Sequence, residues 1–521
     1  MRPRGAHNNG FRVVLIWQNL TARARALTPW RADGMAAICG LLAAATLPPF
    51  SVVPLLFVAL PGLLLLIGAA PTAVSAARRG FVFGMAHHIV GLWWITNAII
   101  VMAAQFWWAI PIAVPLLAAA LSVFIALPAA IAWRLTPGLP RVLGIAGAWV
   151  LGDLARQFVL TGFPWNVLGT VSAMPGHAGE VMMQAANLAT VHGLTLAVVL
   201  VALLPTLGGR GMAVSAAMFA AWAGYGIAHV QPAALTGMDV VLVQGNVPET
   251  ENQASWQNRD WLRRIFDRHL ALTRQGAAQS NRPFIVVWPE TASPWWLQQD
   301  STARAMIMEA ARPARAAFIG APRDGGHDDP RNSLIALGAD GEVAAYYDKA
   351  HLVPYGEYFP SYLPFRLGER GWTPGPGIKT LHVPGIPAVG PLICFEAICP
   401  GQVVDETDRP AMLVNVTSDS WFGDSGGPRQ HLVQARFRAI EEGLPLLRAA
   451  NTGISAVIDP YGRITAHLGL ARQGVVRAPI PAPLAAPPAA KTGLWAPLAL
   501  ALLSLGAGSF MTNRRPKTKK I

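Results

Sequence analysis

A chain of 521 residues with 53% hydrophobic and 13% charged side chains is too long for one small domain and too apolar for an ordinary soluble protein. The net charge of +13 would suit a nucleic-acid binder, but its distribution excludes one: residues 1–237 carry 12 basic against 3 acidic side chains, residues 238–490 carry 23 against 25, and residues 491–521 carry 6 against 0. The excess lies beside apolar runs, which is the pattern that orients helices in a bilayer.

Taken in order, the chain opens with Arg2, Arg4, Arg12, Arg23, Arg25 and Arg31. This stretch is too long, and lacks a cleavage site at the right place, for an ordinary signal peptide. A spanning helix needs about 20 apolar residues. Seven runs are candidates, at 34–48, 51–70, 81–101, 107–133, 143–160, 184–206 and 212–230, and an eighth runs from Leu494 to Met511. Arg78 and Arg79 follow the second run, Arg134 and Arg141 separate the fourth and fifth, and Arg210 separates the sixth and seventh. The alternate connections, around Pro48-Pro49, at 102–106 and at 161–183, contain neither Lys nor Arg. By the positive-inside rule both termini are then cytoplasmic and residues 238–490 lie outside the cytoplasm. Within the fifth run, Asp153 and Arg156 share a helical face and are expected to form an ion pair that orients helices. His87 and His88 read as packed residues, and no His, Cys or carboxylate cluster has metal-site spacing.

The segment after 237 alternates short apolar runs with amphipathic ones. Strands are expected at 239–244, 284–288, 316–320, 332–337, 343–347, 389–394, 411–416 and 454–459. Helices are expected at 256–277, 301–312 and 428–445. Strands interleaved with helices imply an α/β domain. The Pro- and Ala-rich residues 478–490 read as the return to the bilayer. The expected organisation is a basic cytoplasmic N-terminus (1–33), a seven-helix transmembrane bundle (34–237) and an extracytoplasmic catalytic domain (238–480). A linker (481–493), an eighth transmembrane helix (494–511) and a basic cytoplasmic tail (512–521) complete it.

Chemistry centres on VGPLICFEAICP at 389–400. An apolar strand there ends on Cys394, at the mouth of a sheet, where nucleophiles are presented. Alone, such a cysteine is more often a small core residue. Two other strands also end on chemistry: IVVWPET on Glu290, and the run before DKAHLVPYGEYFP on Lys349. Taken singly, Glu290 and Lys349 would be surface ion-pair partners. Together with Cys394 they form a candidate triad. Cysteine attacks as thiolate, so it needs a base or a nearby positive charge. Glu290 could take the proton, and Lys349 could stabilise the thiolate and then an oxyanion. Cys39, Cys394 and Cys399 cannot build a disulfide framework and read as free thiols, Cys399 as a packed one.

WPE at 288–290, DK at 348–349 and CFE at 394–396 resemble the Glu-Lys-Cys signature of the nitrilase, or carbon–nitrogen hydrolase, superfamily. With TGFPWN at 161–166, QGNVP at 244–248, HLVPYGEYFP at 351–360, NVTSDSWFGDSGGPRQH at 415–431 and RAIEEGLPLLRAANTG at 438–453, the chain is similar over almost its whole length to the bacterial apolipoprotein N-acyltransferase family. The resemblance implies an α/β nitrilase-like domain, a four-layer α-β-β-α sandwich, outside the inner membrane, with about eight transmembrane helices. It implies acyl transfer from a phospholipid, phosphatidylethanolamine by expectation, through a Cys394 thioester to the free α-amino group of a diacylated apolipoprotein. No cofactor, metal or nucleic acid enters this scheme. By motif, Glu290 is the general base, Lys349 the oxyanion stabiliser and Cys394 the nucleophile. Glu357 would hydrogen-bond around Lys349 and Glu290, and Glu396 would help deprotonate the incoming amine. Trp256, Phe395 and Trp421 would bind substrate, although membrane anchoring competes as a reading for both tryptophans. Phe395 stands where relatives often have Tyr, which puts in doubt any role needing that hydroxyl. The rival enzyme reading is a membrane-tethered amidase, which the same triad would serve. A transporter or scaffold with a degenerate extracytoplasmic domain would predict a broken triad.

Overall fold

The structure, a computed structural model, describes residues 19–249, 258–279, 281–326, 329–360 and 371–514. Trp256 lies outside the described residues. The chain forms two compact units, one built mainly from residues before 231 and after 491, the other mainly from 231–491.

The first unit is helical: α1 (Pro29–Ala44), α2 (Leu56–Ala69), α3 (Ala73–Leu92), α4 (Ile95–Val101), α5 (Ala113–Arg134), α6 (Leu139–Phe158), α7 (Ala186–Leu203), α8 (Gly209–His229) and the last helix, Trp495–Asn513. These helices are apolar nearly all round, so inward faces make a core while outward faces stay apolar, as lipid-facing helices do. Leu60, Leu63, Ile67, Phe83, Ile125, Trp149 and Val199 form its centre, whereas Leu116, Leu503 and Phe510 are exposed. All eight expected apolar segments are helical. Among the described residues, Ala113–Arg134, Ala186–Leu207, Gly209–His229 and Trp495–Asn513 are long and apolar enough to cross a membrane, and the pair α3 and α4 would be a fifth, bent by 54°. Helix α6 has the length but carries Arg141, Asp153 and Arg156. The segment expected as one continuous helix at 184–206 is interrupted: Ala189 (φ −154°) and Thr190 (φ 60°) leave helical geometry. Thr190 is β-branched, so its left-handed backbone is a costly conformation. The expected Asp153–Arg156 pair forms, at 3.1 Å and buried. His87 and His88 pack ring edge to ring face at 5.0 Å.

The second unit contains two sheets. One has the strand order β11-β1-β2-β3-β4-β5 and the other β10-β9-β8-β7-β6, with β1 Leu235–Gln244, β2 Phe284–Val287, β3 Ala316–Asp324, β4 Pro330–Gly338, β5 Val343–Asp348, β6 Val389–Ile393, β7 Met412–Thr417, β8 Leu446–Ala450, β9 Ser455–Ile458, β10 Ile464–Leu468 and β11 Gly474–Pro481. Strand alternation explains the layering. In β1, Val240 and Leu242 point into a core shared with Ile393, Val414 and Leu447 of the other sheet. Val241 and Val243 point the opposite way, onto Phe266 and Leu270 of α9 (Arg259–Ala277) and Ile307 of α10 (Ser301–Ala311). The second sheet turns Leu392 and Leu413 outward onto Leu432 and Ala435 of α11 (Gly426–Glu442). The result is helix, sheet, sheet, helix. Asn258, Asp300 and Ser425 cap the three helices through side-chain oxygens.

Three strands were not expected. Strand β8 reads LLRAA, and its central Arg448 breaks the apolar run. Strand β10 alternates half-buried and exposed residues. Strand β11 occupies the first part of the run expected as a linker: Ala478 and Pro479 pair with Val240 and Asp239. Its prolines are tolerated because β11 is an edge strand, where a missing donor faces outward. The first sheet therefore begins at Leu235 and includes Pro481.

Candidate active site

The first sheet and its loops supply Glu290, Asn332, Lys349 and Glu357, and the second supplies Cys394 and Ser418. Strand β6 ends at Ile393, and Cys394 begins a tight turn, Cys394–Ile398. Its φ of 50° is left-handed, a conformation a non-glycine residue keeps only where its surroundings enforce it. Lys349 directly follows β5, and its N–H donates to Asn332 O at 2.8 Å, extending the ladder by one residue. Asp348 is tied down by a two-pronged ion pair with Arg323 (2.6 and 2.7 Å) and by the Ser333 hydroxyl at 2.6 Å. Glu290 stands three residues past β2.

These side chains interlock. Lys349 Nζ donates to Glu290 Oε1 at 3.1 Å and to Glu357 Oε1 at 2.8 Å. Asn332 Nδ2 bridges the same two oxygens, at 2.8 and 3.2 Å. The N–H of Ser418 donates to Glu290 Oε2 at 2.9 Å, and that of Val353 to Glu357 Oε2 at 2.6 Å. Lys349 is only 1% exposed. Burial pulls its ammonium down, but Glu290 and then Glu357 outweigh this and leave it above its ordinary value. The Cys394 thiol is also buried and is pushed up, by burial first and Glu290 second, against the pull of Lys349. At neutral pH the resting state is therefore a thiol beside a fixed ammonium.

Glu396 is buried and saturated. Its Oε1 accepts from Tyr347 Oη (2.6 Å) and from the N–H groups of Ala350 (2.8 Å) and His351 (3.1 Å), and its Oε2 from Ile393 N–H (2.7 Å). Burial pushes its carboxyl up against these donors. The expected role as a base for the incoming amine meets a carboxylate whose oxygens are already engaged. What it visibly does is clamp the Lys349 loop to the strand that carries Cys394. Phe395 is buried in the Cys394 turn, and Trp421 is half-buried in the turn Asp419–Phe422.

Sequence reasoning missed Asn332 and a second buried network formed by Asn415, Asp419, His431 and Arg448. Arg448 donates to Asn415 Oδ1 (2.5 Å) and Asp419 Oδ2 (2.8 Å), and His431 lies between Asp419 and the main chain of Cys394. The signal was present: Asn415 and Arg448 are polar residues inside apolar strands, and a buried polar group needs a partner. Among the described residues, no group of three or more His, Cys, Asp or Glu side chains could hold a metal ion.

The sequence profile of the carbon–nitrogen hydrolases matches residues 240–487, and that of the apolipoprotein N-acyltransferase N-terminal domain matches residues 39–204. The apolipoprotein N-acyltransferase of Brucella melitensis biotype 1 is 37% identical over 496 residues, covering 89% of this chain and 92% of that one. The chain belongs to the apolipoprotein N-acyltransferase family. A second member, from Sinorhizobium fredii, is 38% identical over 483 residues, covering 85% of this chain and 89% of its own length. Among solved structures, Saccharomyces cerevisiae Nit3 of the nitrilase superfamily is 18% identical with a TM-score of 0.36, spanning 47% of this chain and 91% of that one.

Proposed function

We propose that this protein transfers a fatty acyl chain from a membrane phospholipid to the α-amino group of the N-terminal S-diacylglyceryl-cysteine of apolipoproteins, by way of a thioester on Cys394. The observation that carries the reading is the buried Glu290–Lys349–Glu357 cluster acting on the Cys394 thiol, in a chain of this family. Because the thiol is held protonated, a base must remove its proton as attack occurs. Glu290 takes that proton, and Sγ adds to the ester carbonyl. Lys349, whose ammonium Glu290 and Glu357 hold above its ordinary value, stabilises the oxyanion. Collapse expels the lysophospholipid oxygen, which receives the proton from Glu290 and leaves the acyl thioester. The lipoprotein amine then adds to the thioester and gives its proton to Glu290. Collapse forms the amide, and the departing sulfur recovers that proton. Glu357 and Asn332 hold Lys349 and Glu290 in register, and Glu396 holds the nucleophile's strand. Phe395, in the Cys394 turn, and Trp421, in the turn Asp419–Phe422, are assigned to substrate binding in the same scheme.

Placement of the α/β unit in the periplasm, both termini in the cytoplasm and about eight spans in the inner membrane belong to the same proposal. Its support is that all basic connections fall on one side under the positive-inside rule.

Intact mass spectrometry of the detergent-purified protein after incubation with phosphatidylethanolamine tests the chemistry. The expected result is a fatty-acyl adduct on the wild type and none on Cys394→Ala, stable in water and discharged by a diacylated lipopeptide with a free N-terminus. An adduct that water discharges unaided would replace the transferase with a lipid amidase.

A further inference from the structure

The catalytic cluster explains how the thiol is ionised and how an oxyanion is met, but not what holds Cys394 in its left-handed conformation. A non-glycine residue at φ 50° persists only when its neighbours over-determine it. One constraint lies on the strand side, where Glu396 binds the N–H of Ile393 at 2.7 Å. The other lies on the carbonyl that leaves Cys394: His431 Nε2 is 3.1 Å from Cys394 O.

His431 is wholly buried, on α11, and a main-chain carbonyl can only accept, so Nε2 must carry a proton. Burial, followed by Arg448, pushes the imidazole down from its ordinary value, while Asp419 and the Cys394 carbonyl pull it back up. On the other side of the ring, Nδ1 faces Asp419 Oδ1 at 2.9 Å, with Arg448 Nη2 at 3.1 Å. The other oxygen of Asp419, Oδ2, accepts from Arg448 Nη2 at 2.8 Å and so fixes the carboxylate. The ring is thus held between Asp419 on one side and the Cys394 carbonyl on the other. His431 of α11, Arg448 of β8 and Asp419 just past β7 are committed to orienting one peptide group, that of the nucleophile.

We propose that His431 is a positioning residue of the acyl transfer: it donates its Nε2–H to the Cys394 carbonyl and so aims the thiol at Glu290 and Lys349. The proposal rests on Cys394 being the nucleophile, so its test reads thiol reactivity directly, apart from any lipid chemistry. The full-length protein in detergent is treated with iodoacetamide at neutral pH, and alkylation of Cys394 is followed by peptide mass spectrometry. His431→Leu is expected to slow alkylation of Cys394 about 100-fold, the scale of a nucleophile misplaced by an ångström. His431→Gln, whose amide N–H can occupy the position of Nε2–H, is expected to recover to within about tenfold of the wild type. A purely structural role would give Gln and Leu the same rate. Equal rates for wild type and His431→Leu overturn the proposal. If the Leu variant fails to fold, as a thermal melt would show, the comparison passes to His431→Gln against His431→Asn. Asn is too short to reach the carbonyl and is expected to react slowly, and equal rates for that pair also overturn the proposal. Acyl-enzyme formation from phosphatidylethanolamine is measured alongside. Its absence in the wild type, with the alkylation ranking intact, would defeat the transferase reading and leave the positioning role standing.

Discussion

Each unit buries an ion pair, and the two pairs differ in everything around the contact. Asp153 and Arg156 come from one helix, three residues apart, and meet at 3.1 Å. Asp153 gains a long contact from Thr195 at 3.5 Å, while nearby His87 Nδ1 and His88 Nε2 are buried without a hydrogen-bond partner. Glu290 and Lys349 also meet at 3.1 Å, but they come from segments far apart in the chain, and Glu357, Asn332 and the N–H of Ser418 complete the set. A pair made within one helix costs the fold little to assemble and can serve to orient that helix. A cluster drawn from five segments around a thiol is costly to assemble, and each member is fixed by at least one further bond. The first is a feature of packing, the second a device.

Removing the nucleophile should break the device outright. Cys394→Ala and Cys394→Ser should give no thioester by intact mass. Lys349→Ala should come close to that, because it removes the oxyanion partner and leaves Glu290 and Glu357 crowded together without a cation. Arg156→Met, by contrast, should leave adduct formation intact in the protein that remains folded. Loss of acylation in folded Arg156→Met would erase the distinction between the two pairs.

Glu357→Gln sharpens the comparison from the other side. It keeps the shape while removing the charge that Lys349 Nζ meets at 2.8 Å. Acylation should slow about 100-fold, as expected when a catalytic group is slightly misplaced, with substrate KM nearly unchanged. The effect of Arg156→Met should appear in stability instead. An unpaired buried Asp153 should cost roughly 3–5 kcal/mol, and Asp153→Asn with Arg156→Met should cost less than the single change. Thermal melts of the two variants in detergent would decide.

How much of this was legible in the sequence depended on whether a residue's signal was local. Cys394, Glu290 and Lys349 each sit at or just past the end of an apolar run, so their strands and exits could be read from periodicity alone. The unbroken apolar run Val240–Val243 fits its strand, whose two faces pack into two different cores. Arg448 and Asn332 could not be read this way, because their meaning is a partner on another strand. Strand β11 was hidden for a different reason: prolines mark it as a linker unless the edge it occupies is known. The break at Thr190 left no mark in an otherwise apolar run.

A pH experiment gives a smaller effect, in a residue outside both pairs. Burial pushes His269 on α9 down to about 4 from 6.5. The folded protein keeps that ring neutral, while the unfolded chain binds a proton below 6.5. Stability should therefore fall as pH drops from about 6.5 to about 4 and then level off, by about 3 kcal/mol in all. His269→Gln should flatten the stability profile across that window. The contribution of Asp419, held at about 2 against an ordinary 3.8 by Arg448 and His431 despite its burial, is lost only at lower pH. A slope that survives in His269→Gln would assign the window to another group.

The smallest effect belongs to Cys399, five residues from the nucleophile and equally buried. Its thiol is pushed up to about 12 by burial, with Arg438 pulling the other way. The Cys394 thiol is pushed up as well, so acidity does not separate the two. What separates them is company, since Glu290 and Lys349 act on Cys394, whereas the charges acting on Cys399 are Arg438 and Glu396. Glu396 is itself held by four donors, which tie it to the Lys349 loop and to Ile393. Cys399→Ala should accordingly leave the acyl adduct unchanged and cost about 1 kcal/mol for the small void it opens. An inactive Cys399→Ala beside an active Cys394→Ala would move the nucleophile, and the cluster around Lys349 would then be the packing feature.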